Sequence, residues 1–448
     1  MNYKLKQKPD LSRLALFNLS FGFFGVQIAY ALQSSNISRI FATMGADPKS
    51  LSFFWVLPPL MGMIVQPIVG MLSDRTWCRF GRRIPYLIVG AVIAVIVMTL
   101  LPNAGSLSDT FWVAMTLGAI ILMFLDTSLN MAMQPFKMMV GDVVNEKQKG
   151  TAYAIQSFLC NLGQVVGFSL PFLMSYIGLS TDATHGVPMS LKMAFYVGAV
   201  ILIVCVIYTC LNVKEMPPKE YAEYHGTTEE KEDHVNLIQL LRDAPANYWR
   251  VALVQFFCWF AFLFMWNYTT GAIADTVWGT TDAKSTAFQA AGDWVGIVFA
   301  VQSVASVLWA MVLPGLEHRF GLKAAYSISL VIGGIGFALV PFMPDKWSLF
   351  LPFALVGCAW AAMLALPFTI VTNALEGRPH MGTYLGLFNC AICLPQIIAG
   401  LTGGFFLMMV GEHQYNMMFV AAVLLILGAL SVKAIKSLPS AASKEDNK

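Results

Sequence analysis

At 448 residues, 57% of them hydrophobic and 12% charged, with a mean hydropathy of +0.65, the chain lacks the polar surface that a water-soluble protein of this size needs. A formal net charge of +3 is too small to mark a nucleic-acid-binding protein. The expected solvent is the lipid bilayer.

A helix must satisfy its own backbone N–H and C=O groups in hydrocarbon and needs roughly 20 mostly apolar residues to cross it. Stretches of that kind fall at 13–35, 50–73, 84–102, 111–140, 150–177, 190–213, 250–274, 292–314, 323–343, 347–374, 382–410 and 415–436. The first is long, lacks a small-residue cleavage site and leads into further spans, so it reads as a membrane anchor and not as a cleaved leader. Between the second and third spans, Gly70 to Tyr86 reads GMLSDRTWCRFGRRIPY, with Asp74, Arg75, Arg79, Arg82 and Arg83 packed into one short loop. Basic residues are retained on the cytoplasmic side. One set of loops holds most of them, and the opposite set little beyond Arg39, Lys49, Lys192, Lys284 and Lys346. Both termini and the central segment are therefore expected in the cytoplasm, and the short loops suggest a prokaryotic inner-membrane protein.

The fourth span carries the sharpest chemistry. Asp126 lies well inside an apolar helix, where an ionised carboxylate is expensive, and an intramembrane acid of this kind is a candidate proton carrier. Asn130, Gln134 and Lys137 follow at helical spacing, Lys137 roughly 16 Å further along the same face. The competing reading makes Asp126 a hydrogen-bonding group between helices and lets Lys137 reach the interface.

The central segment, 214–248, is the longest charged interruption and divides the spans six and six, giving halves at 1–213 and 249–448. The halves repeat: Pro135, Phe136, Gly150, Thr151 and Gln164 recur at a constant ungapped offset as Pro367, Phe368, Gly382, Thr383 and Gln396. Duplicated six-helix halves suit alternating access, in which a site between two bundles opens to either side.

The Gly70 to Tyr86 loop, with its Gly-x-x-x-Asp-Arg core, resembles the signature loop of the major facilitator superfamily. More narrowly, GVQIAYALQ (Gly25 to Gln33), GMIVQPIVGMLSDR with RFGRRIPY, and LDTSLNMAMQPFKMMVGD (Leu125 to Asp142) resemble the sucrose-transporter branch of the sugar:cation symporters. The resemblance implies an all-α membrane fold of 12 transmembrane helices in two pseudo-symmetric six-helix bundles, and proton-coupled uptake of a glucoside. It places the proton-accepting acid at Asp126. Lys137 stands where the family has an arginine tied to sugar binding or coupling, and lysine lacks the bidentate fork of that residue. The seventh span also departs from the plant transporters: Phe264 to Asp275, FMWNYTTGAIAD, has no charge before Asp275 where they carry an acidic and basic cluster. That departure weighs against sucrose itself, and the expected substrate is a small sugar, a glucoside disaccharide such as maltose.

The proton-coupling candidates are thus Asp126 and Lys137. Sugar-binding candidates are Gln33, Asn130, Gln134, Gln156, Trp266, Asn267, Tyr268, Trp360 and Asn389, since amides hydrogen-bond hydroxyls and aromatic faces stack on a pyranose ring. Gln27, Tyr30, Asn36, Asn161, Gln302 and Gln396 are weaker candidates, as polar amides also hold membrane helices together. Asp74, Arg75, Arg79, Arg82 and Arg83 with Asp142 read as a cytoplasmic gate, an ion-pair latch of the outward-open state, with Glu317, Arg319 and Glu376 as its counterpart in the second half. The arginines also set topology.

The six histidines lie in or next to loops, and Cys390 and Cys393, spaced as a redox pair, fall inside a membrane helix. There is no phosphate-binding loop, dinucleotide fingerprint or metal framework, so no cofactor, metal or enzymatic activity is expected and transport is driven by an ion gradient or is passive. Expected partners are the sugar, a proton or sodium ion, and the bilayer, with the monomer as the working unit. A proton-driven exporter of amphiphilic compounds would share the arginine loop. A membrane sensor would need an effector domain larger than the linker or tail.

Overall fold

The computed structural model describes residues 8–217, 224, 237–375 and 381–436, apart from the side chains at 74, 146, 238, 381 and 382. Among these residues twelve helices are long and apolar enough to cross a membrane, and the protein is an integral membrane protein of 12 spans. The spanning helices are α1 (Arg13–Thr43), α2 (Leu57–Arg75), α3 (Ile84–Leu100), α4 (Phe111–Val143), α5 (Glu146–Tyr176), α6 (Met189–Asn212), α7 (Ala246–Thr276), α8 (Thr286–Phe320), α9 (Leu322–Leu339), α10 (Phe350–Ala374), α11 (Cys390–Met409) and α12 (Asn416–Ser431). One-turn and two-turn helices, Leu51–Phe54 and Met381–Phe388, lead into α2 and α11.

Local chemistry fixes several ends. Ser12 Oγ accepts from the Ala15 N–H to start α1, Asn145 Oδ1 from Gln148 to start α5, and Ser285 Oγ from Phe288 to start α8. Outward faces are apolar and exposed, as with Ile88, Val92 and Ile96 on α3 and Val200, Val204 and Leu211 on α6, which suits contact with lipid. Inward faces are small where helices touch. A Cβ on Gly90 of α3 would lie 2.7 Å from the Ala132 backbone nitrogen of α4, so only glycine lets α3 come this close.

The first six spanning helices pack mainly on one another, α1 on α5 and α6, α4 on α2 and α3. The last six do the same, α7 on α12, α10 on α8 and α9. Packing between the two sets runs through α5 with α8, α11 with α2 and the turn before it, and α1 with α7 and α8. These contacts lie toward the face opposite the described termini, for example Gly400 of α11 against Val56 and Gly296 of α8 against Phe168 of α5. No comparable packing joins α4 to α10, and the space between the sets opens toward the termini.

Several helices exceed their expected spans, α1 and α8 by the most. α1 continues to Thr43 in place of 35, and α8 starts at Thr286 in place of 292. Arg39, expected in a loop, is 0% exposed inside α1. Arg39 on α1 and Gln289 on α8, both beyond the expected runs, bond to each other, and Arg39 also bonds Asp293 at the start of the expected α8 run, so both helices extend beyond their hydrophobic stretches. The 214–248 segment falls largely outside the described residues.

Candidate functional site

A cavity of about 370 Å³ lies between the two sets of helices near their middle, within the range that small-molecule sites occupy. Its walls differ. The first six helices contribute chiefly amides and a cation, namely Gln27 and Gln33 of α1, Gln66 of α2, Asn130 and Lys137 of α4, and Gln164 of α5. From the last six come Trp259 and Trp266 of α7 and Trp360 of α10, with Gln302, Asn389 and Gln396. The rings form one cluster: Trp266 meets Trp360 edge-on at 5.8 Å, Trp360 meets Trp259 at 5.7 Å, and Trp55 stacks on Trp266 at 6.1 Å. Their packing fixes a rigid aromatic wall.

Asp126 is 0% exposed and stands behind the cavity wall. Its Oδ1 accepts a hydrogen bond from Gln33 Nε2, while its Oδ2 has no partner among the described residues. Gln33 Oε1 is also without a partner, and Gln33 itself lines the cavity. One amide therefore touches the buried acid and also forms part of the cavity wall, its own Oε1 buried and without a described partner. Further along α4, Asn130 Nδ2 donates 2.8 Å to the Asp126 carbonyl, Gln66 Nε2 donates 2.7 Å to Asn130 Oδ1, and Lys137 Nζ lies 3.4 Å from Gln66 Oε1. The stripe on α4 is thus bridged by Gln66 from α2. Sequence reasoning missed Gln66; the available signal was an amide directly before Pro67 inside an apolar span.

Several expected ligands sit elsewhere. Asn267 is 0% exposed and accepts 2.9 Å from Ser38 Oγ, which in turn accepts from Trp55 Nε1. Tyr268 is buried beside Gly403 and Ser52, at the packing of α7, α11 and the turn before α2. Gln156 donates 3.1 Å to the Phe136 carbonyl, and Gln134 faces Gly70 of α2. None of these four lines the cavity. The local reason is rotation about the helix: Trp266 faces the cavity, so Asn267 and Tyr268, each turned on by about 100°, face neighbours.

The Gly70 to Tyr86 loop is built on two acids. Arg82 Nη2 and Arg83 Nε reach Asp142 Oδ2 at 2.8 and 3.0 Å, and Arg83 also donates to Ser73. Glu215, absent from the expected set, accepts from the backbone N–H groups of Arg82, Arg83 and Ile84 at 2.9, 2.8 and 2.7 Å and so caps the start of α3. Gly81, at φ +107°, makes the tight turn that aims these groups at the carboxylate. Arg79 lies over the Phe80 ring and Arg75 closes α2. These described pairs lie within the first six helices. Arg319 lies over Phe320, without a described ion pair to Glu317, and Glu376 and the Asp74 side chain lie outside the described residues.

The Major Facilitator Superfamily profile matches residues 19–281, more than half of the chain. The chain belongs to this superfamily. Its curated relatives include the sucrose transport protein SUC4 of Arabidopsis thaliana, 23% identical over 470 residues covering 96% of this chain and 91% of that protein. SUT5 of Oryza sativa subsp. indica is 26% identical over 431 residues, covering 85% and 79%. The similarity lies with the sucrose-transporter branch, as the three sequence segments imply. Among solved structures, the nucleoside transporter NupG shares the fold at a TM-score of 0.68 and 16% identity, covering 94% of this chain and 98% of its own. The D-xylose-proton symporter does so at 0.65 and 17%, covering 94% and 96%. As a facilitator-superfamily protein, the chain is a transporter and not an enzyme.

Gln164 and Gln396, paired by the internal repeat, both line the cavity of this facilitator from opposite sides, on α5 and α11. Pro135 and Pro367, another repeated pair, lie inside α4 and α10.

Proposed function

We propose that this transporter moves a small sugar, a glucoside disaccharide such as maltose, into the cell in symport with a proton, by alternating access between bundles formed by 1–213 and 249–448 and joined by a cytoplasmic linker at 214–248. The reading includes a prokaryotic inner membrane, cytoplasmic termini and a working monomer. The observation that carries it is Gln33, which bonds the buried Asp126 carboxyl and also lines the cavity. A solute packed against Gln33 and a proton arriving on Asp126 act on the same side chain, so each changes the other's binding. The tryptophan wall supports a sugar, because a flat ring covers a pyranose face while the amides opposite take up its hydroxyls. Lys137, exposed in the cavity and held through Gln66, is the second proposed coupling residue.

The sugar is decided by uptake of labelled maltose and sucrose into proteoliposomes under an imposed proton gradient, with a protonophore control and a sodium gradient as comparison. Both are needed, since the named relatives are sucrose transport proteins. Gradient-driven uptake of either supports the proposal. Uptake driven by sodium alone replaces the proton. If neither sugar moves under either gradient, the sugar reading falls.

A further inference from the structure

The face of the molecule away from the termini is closed by a charge pair that the solute site does not use. Arg39 Nη1 of α1 donates 2.7 Å to Asp293 Oδ1 of α8, with both side chains almost fully buried at 0% and 5% exposure. Arg39 Nε donates 2.7 Å to Gln289 Oε1, and Nη2 donates 2.9 Å to the Gln289 carbonyl. The Gln289 amide donates 2.9 Å to Thr43 Oγ1 of α1, and Ser175 near the end of α5 donates to the second oxygen of Asp293. Backbones close around these bonds: a Cβ on Gly292 would fall 2.5 Å from Arg39 Cδ, and one on Gly296 would fall 2.0 Å from the Phe168 carbonyl of α5. Helices from the first six and the last six are thus joined by polar bonds in a dry seam.

A buried ion pair is a poor device for simple adhesion. Desolvating two charges costs about what their attraction returns, and apolar side chains of equal volume would hold the seam as well or better. What the pair does supply is two favoured states. The charges are satisfied when paired and dry, or when parted and fully hydrated, and any half-open arrangement leaves both without partners. Such a seam opens completely or not at all, which is what a transporter needs if its cavity is never to face both sides at once.

We propose that Arg39 and Asp293 are positioning residues of the transport cycle: with Gln289, Ser175 and Thr43 they form the gate on the face opposite the termini, and parting them commits the protein to open there. The proposal requires alternating access and does not depend on which solute or ion is carried.

The gate is tested by side-specific labelling. All eight native cysteines lie away from the loops of the gated face, so a Ser34→Cys reporter on the cavity wall, in a chain whose Cys393 on the same wall is replaced by serine, reads access from that face. Full-length protein in vesicles with the gated face outward is treated with a membrane-impermeant maleimide, and labelling is read peptide by peptide. Asp293→Asn leaves the Arg39 charge buried against a neutral partner and is expected to raise reporter labelling roughly tenfold. The double variant Arg39→Met with Asp293→Leu leaves no orphaned charge and keeps an apolar seam. It is expected to label no faster than the parent and to lose solute exchange roughly tenfold, trapped with this face closed. Labelling of the exposed Cys78 in the Gly70 to Tyr86 loop from the other side, at the parental rate, shows that each variant is folded. The proposal is overturned if folded Asp293→Asn labels like the parent, or if the double variant labels and exchanges like the parent.

Discussion

Replacing Asp126 by asparagine removes the one ionisable group on the α4 stripe that is wholly buried, while changing its shape little. Asparagine Oδ1 can still accept from Gln33 Nε2, so the contact that holds the cavity wall persists. The new NH₂ replaces an oxygen with no described partner, and an unsatisfied buried amide costs about 1–3 kcal/mol. The variant should fold, with thermal stability lowered by a few degrees at most. Its transport should change qualitatively. One proton crossing with each solute down one pH unit supplies about 1.4 kcal/mol, enough for tenfold accumulation. A potential of 100 mV adds about 2.3 kcal/mol, roughly a further fiftyfold. With the acid gone, accumulation should collapse to about onefold under either gradient, while exchange of labelled for unlabelled solute continues, since that needs no net proton movement. The assay is uptake and counterflow in the same proteoliposomes. An Asp126→Asn protein that still concentrates solute against a gradient would refute the reasoning and move the proton site elsewhere.

Gln66→Leu should break the bridge between Asn130 and Lys137 and raise the half-saturating sugar concentration roughly tenfold, the worth of one lost hydrogen-bonded link to a charged group, read from initial uptake rates. Glu215→Gln should weaken the cap on the α3 backbone N–H groups by about 1–3 kcal/mol, lowering the midpoint of thermal unfolding with the solute affinity unchanged. On the gated face, Lys49 and Glu412 form an exposed pair at 2.8 Å, and the hydrogen bond that the Lys49 ammonium donates to Glu412 holds its pKa above the ordinary value of 10.5. A raised cationic pKa gives a contribution that is complete below the ordinary value and is lost only as pH climbs through the raised one. Glu412→Gln should therefore leave the pH profile of uptake unaltered across the neutral range, while acylation of Lys49 at a pH of about 10 becomes faster. A change in the neutral profile would show that this pair does more than tether two loops.

The spans were legible because hydrocarbon imposes a length and an apolar composition that few other constraints mimic. The acid on α4 was legible for the converse reason, as a residue that the bilayer penalises is kept there by something specific. Facing direction was less so. Trp266, Asn267 and Tyr268 are consecutive, and only the packing of α7 decides that the first meets the cavity and the other two meet Ser38 and Gly403. Gln66 was hidden because a single amide in an apolar helix has the same appearance whether it bridges a site or holds two helices together.

Arg39 shows where reading along the chain fails in a membrane protein. Taken alone, an arginine after Ser38 and before a Gly-Ala-Asp stretch marks the end of a span, since a lone guanidinium in hydrocarbon has nowhere to put its charge. Its partner is 254 residues away, on a helix whose own acid, Asp293, looks equally misplaced. Each side chain is unfavourable in a buried position until the other is present, and the two meet in the face-closed packing of α1 against α8. Local hydropathy scores one residue's transfer to lipid and contains no term for a partner brought by the tertiary fold. Complementary charges at adjoining ends of two spans are the pattern that would have exposed it: α1 carries Arg39 near its end and α8 carries Asp293 near its start, one helix from each half and both at the same face, and that complementarity favours a seam over two loops.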